Sequence, residues 1–318
     1  MRGKAAYGLL SAAVIVAAAA TSPAAAPVTG TSCQVFPDDN VWRLDVSKLP
    51  TDRRSDVWKR ATHARRTRLH PDFGPPSYGI PFDVVDASHA TVSIDFTYAD
   101  ESDPGPYPFG PDIQIEGGSD RHAIMVDADA CVVYELYAAR WNGGNPTAGS
   151  GAIFDLSSTD LRPAGWTSAD AAGLPILPGL VRYDEVFGPD PGIDHALRFT
   201  VSCTFDRYIW PARHRAGVDD RRCPPMGARF RLRGGYPTGR FGRKARIVLR
   251  AMKRYGMIVA DNGSDWYFQG AVDDRWRYRF VDQLKRIPAK AFVAVDESAC
   301  KVTGGSGAFA YGPGCRAP

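Results

Sequence analysis

Thr91-Val92-Ser93-Ile94-Asp95-Phe96-Thr97-Tyr98 alternates strictly between polar and apolar side chains. Successive strand residues point to opposite faces, so Val92, Ile94, Phe96 and Tyr98 are expected on one side of a half-buried strand. Working outward, 123–126 and 131–137 are β-rich runs about Asp127-Ala128-Asp129-Ala130, the pattern of a hairpin. Further strands are expected at 78–85, 152–156, 197–201 and 229–233. Residues 257–260 and 266–268 flank Asp261-Asn262-Gly263-Ser264, where Asn-Gly signals a second hairpin. The period changes at 243–255: Ala245, Val248, Leu249, Met252 and Tyr255 recur at helical spacing, Arg246, Arg250, Lys253 and Arg254 take the other face, and Gly256 closes the helix. A short helix is expected at 279–286, and a surface helix in the basic stretch 53–68 around Val57, Trp58 and Ala61.

Short, closely spaced strands without βαβ alternation predict a mainly β protein with some α: an antiparallel β-sandwich-like body with one main amphipathic helix at 243–255. Residues 27–318 are expected to form one large globular domain, or two merged halves with a seam near 174–190. Gly (32) and Pro (25) make up about 18% of the 318 residues, a turn-rich composition, while 44% hydrophobic and 11% aromatic residues exclude wholesale disorder, collagen and coiled coil.

Residues 1–26 read as a secretory signal peptide, with Arg2 and Lys4 ahead of an alanine-rich run at 5–20 that is too short for a stable membrane span. The expectation is a secreted, extracellular protein without membrane attachment once the signal is removed. The net charge of +4 falls to +2 without Arg2 and Lys4, too balanced for a dedicated nucleic-acid binder. An even six cysteines in an exported chain favour disulfides. Closure between sequence neighbours favours Cys203–Cys223 and Cys300–Cys315, leaving Cys33–Cys131; no Cys-x-x-Cys or Cys-x-x-His spacing suggests zinc.

Five phrases carry a resemblance: DESDPGPYP at 100–108, AGSGAIFDL at 148–156, GWTSADAAGLPILPGLVRYDEV at 165–186, YIWPARH at 208–214 and RYGMIVADNGS at 254–264. They resemble a family of secreted bacterial, actinobacterial-type proteins over roughly 36–297. That resemblance implies no activity, cofactor or catalytic residue, so chemistry is read from the residues themselves.

Several classes lack their required spacing. Gly149-Ser150-Gly151 is not a Gly-x-Ser-x-Gly elbow, and neither His-Glu-x-x-His nor a P-loop occurs. Within 115–122, Glu116, Asp120 and His122 share parity and would line one face if the segment is extended; carboxylate beside imidazole suits general acid/base work. Alternatively Gly117-Gly118 makes a turn with Asp120 and Arg121 at the surface. His195 stands at a strand entrance. Trp210 and His214 form an aromatic and basic loop suited to a sugar ring or an acidic group, and Asp261 lies beside Trp266 and Tyr267. Catalytic candidates are therefore Glu116, Asp120, His122, His195 and Asp261, and substrate-binding candidates Trp210, His214, Trp266 and Tyr267. Asp100, Glu101 and Asp103 crowd three carboxylates that could hold a structural calcium, though no cofactor is required. Two readings follow. One is a secreted carbohydrate-active enzyme, a polysaccharide hydrolase or lyase using carboxylate and histidine acid–base chemistry. The other is a non-catalytic glycan- or cell-wall-binding sandwich in which the same aromatics only stack.

Overall fold

A computed structural model describes residues 26–317; residues 1–25 of the expected signal peptide lie outside them. The strands are β1 (His70–Asp72), β2 (Asp83–Val85), β3 (Asp95–Phe96), β4 (Ala123–Asp127), β5 (Val132–Tyr137), β6 (Thr147–Ala148), β7 (Ser150–Asp155), β8 (Leu197–Val201), β9 (Phe205–Tyr208), β10 (Pro225–Met226), β11 (Arg229–Leu232), β12 (Met257–Asn262), β13 (Tyr267–Gln269) and β14 (Phe292–Ala294). Among the described residues four α-helices accompany them: α1 (Ser55–Ala61), α2 (Tyr183–Phe187), α3 (Arg243–Arg254) and α4 (Tyr278–Leu284). The protein is mainly β. One sheet has six strands in the order β1-β13-β8-β12-β11-β14 and another has four in the order β2-β4-β5-β7, with two small ribbons, β9/β10 and β3/β6.

The four-stranded sheet is buried on both faces, and its sequence shows why. Ile124, Val126, Val133, Ala152 and Phe154 face the main core, while the intervening Ala123, Met125 and Leu136 face a smaller cluster with Tyr107, Phe109 and Ile94. The main core is continuous with both sheets. Leu174, Ile176, Leu177, Leu180 and Val181, in the stretch expected as a seam, are fully buried in it.

The hairpin about 127–130 forms, with β4 and β5 paired from Asp127↔Val132 to Ala123↔Leu136. Its companion about Asn262-Gly263 does not. β12 and β13 both pair with β8, which lies between them, parallel to β12 and antiparallel to β13. An Asn-Gly turn signals a reversal of direction, and here the reversal is wide enough to straddle a third strand. Parallel pairs β1/β13, β8/β12 and β2/β4 thus join the antiparallel ones, because long connections return the chain in the same direction.

The run 91–98 is a second departure. Only Asp95–Phe96 joins a ladder, parallel to Thr147–Ala148, and a 3-10 turn at Ala99–Glu101 bends the chain away at Tyr98. Ile94 is buried, whereas Tyr98 is 51% exposed. The alternation reports burial as far as Phe96 and no further.

Helix α3 follows its pattern, burying Ala245, Val248, Leu249 and Met252. Gly256 ends it at φ 72°, where an added Cβ would lie 2.8 Å from the Phe230 carbonyl oxygen.

All three expected disulfides form: Cys33–Cys131, Cys203–Cys223 and Cys300–Cys315, closing separations of 98, 20 and 15 residues. The first ties the N-terminal segment to the four-stranded sheet. Cross-linking restricts the unfolded chain more as the loop lengthens, by ~3 kcal/mol for a 15-residue loop and ~4.7 for a 100-residue loop. Cys33→Ser/Cys131→Ser is therefore expected to lower denaturant-measured stability more than Cys300→Ser/Cys315→Ser, and thiol titration of the denatured wild type should find no free thiol.

Candidate active site

A cleft of about 460 Å³ opens where the two sheets meet, lined by Tyr98, Glu101, Asp120, Tyr137, His214 and Asp261 around a floor at 167–171. The floor is irregular backbone, so its polar groups need partners from elsewhere. Ser150 Oγ donates to the Ser168 carbonyl at 2.7 Å, His122 Nε2 reaches the Ala169 carbonyl at 3.2 Å, and His214 Nδ1 reaches the Ala171 carbonyl at 2.8 Å. Ser168 Oγ accepts the Asp170 N–H at 2.9 Å. Beneath them the buried Asp170 carboxylate takes a bidentate fork from Arg198, whose Nε donates at 2.8 Å. Gly173, at φ 67°, lets the floor turn back toward Arg213, since a Cβ there would collide with the Trp166 carbonyl.

Asp261 enters through an irregularity in β12. The register against β8 shifts between Val259 and Asp261, and such a bulge re-aims a side chain. Its carboxyl is pushed up to about 7, first by burial and then by the Asp170 charge, against the opposing pull of Arg198. Asp120 reaches the cleft from the exposed turn before β4. The Tyr137 phenol is raised by burial and by the charges of Asp120 and Asp261, so both carboxyl groups bear on one phenol. His214, also in the lining, must donate from Nδ1 to a carbonyl, which leaves Nε2 turned to Glu101 Oε2 at 3.6 Å; the same Oε2 accepts the Thr167 N–H at 3.2 Å.

The remaining sequence candidates separate from this group. Residues 115–122 are not extended: the Glu116 N–H donates to the His122 carbonyl at 2.8 Å across the turn containing Gly117-Gly118. Parity therefore fails, and only Asp120 faces the cleft. Glu116 Oε2 instead meets His122 Nδ1 at 2.7 Å. Burial pushes the His122 pKa down, but the hydrogen bond and charge of Glu116 outweigh it and the net shift is upward. With its other nitrogen on a carbonyl, His122 has both ring nitrogens engaged and supports the floor.

His195 is likewise structural, its ring nitrogens 2.8 Å from the Ala196 carbonyl and 2.9 Å from Glu185 Oε1, both buried. Trp266 is fully buried among Phe199, Phe230 and Phe292, with Nε1 donating to the Thr62 carbonyl, so it offers no face to a ligand. Tyr267 stacks on His70 at 3.9 Å, away from the cleft. Trp210 donates from Nε1 to the Ser306 carbonyl and lines a different groove. The three crowded carboxylates diverge. Asp100 is exposed, Glu101 turns into the cleft, and Asp103 Oδ2 accepts the Ile153 N–H at 2.8 Å and pairs with Arg162. Among the described residues no group of three or more His, Cys, Asp or Glu is arranged to hold a metal.

Sequence reasoning missed Tyr98, Tyr137, Ser150 and the floor itself. The Asp170–Arg198 pair joins residues 28 apart, which no local pattern connects. One signal was present: each of the five quoted phrases places at least one residue in the lining, from Glu101 to Asn262. Comparison with known proteins finds no matching family model, curated protein or solved structure.

Two outcomes test this geometry. His122→Ala should lower stability by roughly 3–5 kcal/mol in denaturant unfolding, the scale for removing one partner of a buried ion pair. Asp261, with an ordinary pKa of 3.8 and a folded value of about 7, binds a proton that the unfolded chain releases. Its contribution to stability is full below about pH 4 and lost as pH rises through 7. Asp261→Asn should therefore flatten the fall in Tm between pH 5 and pH 8, measured by calorimetry.

Proposed function

We propose that the cleft cleaves a glycosidic bond by general acid–base chemistry, in a secreted carbohydrate-active enzyme of the polysaccharide hydrolase type. The observation that carries this reading is a pair of carboxyl groups in different environments lining one cleft with the Tyr137 phenol: Asp261 half-buried and inclined to keep its proton near neutral pH, Asp120 exposed. Glycoside hydrolysis needs that asymmetry, because one carboxyl protonates the departing oxygen while the other activates water or attacks the anomeric carbon. In this assignment Asp261 is the acid and Asp120 its partner. Glu101 and His214, paired in the same lining, would with Tyr98 and Tyr137 supply hydroxyl-binding groups and rings to a sugar.

The setting fits. Three disulfides belong to an oxidising compartment, and no helix among the described residues is long and apolar enough to cross a membrane. Ser150 is not assigned as a nucleophile, since its hydroxyl proton is held by the Ser168 carbonyl rather than by a base.

A polysaccharide panel with detection of new reducing ends tests the reading. Asp261→Asn and Asp120→Asn should each reduce cleavage by ~100-fold or more, the scale of lost acid–base catalysis, while the fold persists. The wild-type rate should decline above about pH 7 as Asp261 loses its proton. Binding of the panel without any cleavage would replace this assignment with the non-catalytic one.

A further inference from the structure

Trp210 and its neighbours find no place in the cleft, yet they do line a cavity. A groove of about 580 Å³ lies beside α1, and the two cavities share a wall: Arg213 lines the groove and the next residue, His214, lines the cleft. Its lining includes the cations Arg53, Arg54, Arg207, Arg213 and Lys301 against two carboxylates, Asp52 and Asp296. Both carboxylates are engaged locally, Asp52 Oδ1 accepting the Arg54 N–H at 2.6 Å and Asp296 Oδ1 the Ser298 N–H at 3.0 Å. The cations are thus left in excess, and several are positioned by contacts other than acids. Arg213 donates from Nε to the Arg162 carbonyl at 2.6 Å and Arg54 from Nη2 to the Arg221 carbonyl at 2.7 Å; the Arg207 guanidinium lies 5.7 Å over the Phe205 ring and has one loose acidic neighbour, Asp206 Oδ2 at 3.9 Å, which Arg215 also approaches at 3.2 Å. Between them Phe205, Tyr208, Ile209 and Trp210 supply an apolar wall, with Ile209 39% exposed.

In a chain whose overall charge is close to balance, five cations against two carboxylates are a local excess; a separate hollow lined by Arg68, Arg240, Lys285 and Arg286 carries no aromatic wall. A further hollow of about 380 Å³, also adjoining α1, is lined by Lys59, Arg60, Arg65 and Lys290 with one carboxylate, Asp56, which pairs with Lys59 at 2.9 Å. Cations gathered in two hollows along α1 match a chain of anionic groups rather than a single small anion.

We propose that this groove binds a strand of acidic glycan, carrying carboxylate or sulfate groups, so that the substrate class of the cleft is an acidic polysaccharide. Guanidinium groups take such anions with paired hydrogen bonds, and the aromatic and aliphatic wall packs against the apolar face of a sugar ring. Cys223 lines the groove and is bonded to Cys203, so a disulfide of the kind found in oxidising compartments braces it. The proposal rests on the cleft acting on glycans, and its test separates the two.

Calorimetric titration of the folded wild type should show binding of polygalacturonate, of dextran sulfate, or of both, weakening as salt is raised, and none of neutral dextran. The two anionic probes distinguish carboxylate from sulfate. Arg53→Ala/Arg207→Ala should weaken that binding at least 10-fold with an unchanged melting temperature, whereas Asp261→Asn should bind as wild type. Equal affinity for neutral dextran, tighter binding of single-stranded DNA, failure to bind either anionic glycan, or an unaffected double variant would each overturn the proposal. Anionic binding without cleavage of any polysaccharide would leave the groove assignment standing and remove the cleavage assignment. Cleavage confined to neutral glycans would do the reverse.

Discussion

The buried pair of Asp170 and Arg198 is the constraint around which the cleft is arranged. Arg198 lies on β8, an inner strand of the six-stranded sheet, and Asp170 lies in an irregular loop that has no ladder of its own. Burying either charge alone would be costly, so each requires the other, and together they fix the loop on the sheet. Once fixed, the loop offers carbonyls to Ser150 on β7, His122 ahead of β4 and His214 beyond β9. Four separate parts of the chain are thereby brought to one place. The pair is also electrically part of the site: Asp170 helps to raise Asp261 while Arg198 opposes it.

Other buried polar groups concentrate nearby. Glu135, on the core face of β5, accepts the N–H groups of Ile176 and Leu177 at 2.8 Å, and burial nevertheless pushes its carboxyl up to about 7. It anchors the 3-10 turn Leu177–Gly179 that leads from the floor back into the core. Two sheets joined only by apolar packing could slide against each other at little cost. These directed contacts specify one arrangement, and with it the placement of the cleft side chains.

The aromatic content belongs mostly to the interior. Trp266 is enclosed by Phe199, Phe230 and Phe292, and Trp276 by Phe73, Tyr183, Phe187 and Phe280. An abundance of Trp and Tyr in the sequence is therefore weak support for sugar binding. The rings that reach these two cavities are fewer: Tyr98 and Tyr137 at the cleft, and Trp58, Phe205, Tyr208 and Trp210 at the groove. Tyr98 illustrates how position decides role: it keeps step with the apolar residues of its run in the sequence, yet it is 51% exposed and lines the cleft.

By itself the sequence determined what depends on neighbours along the chain: the amphipathic α3 with its terminal Gly256, the β4–β5 hairpin, the extent of β8, and the cysteine pairs, where short loops close most readily. Asp120 and Asp261 were also legible as catalytic candidates and His214 as a substrate-binding one, although nothing local joined them into one site. Tertiary structure alone decided which of them meet. Whether Glu116 shares a face with Asp120 depends on a turn that parity cannot see, and whether Asp261 enters a cleft depends on a register shift against a strand about 60 residues earlier. Asp170 and Arg198 carry no local signature, because the pairing of two buried charges is set by the three-dimensional neighbours that replace water around them.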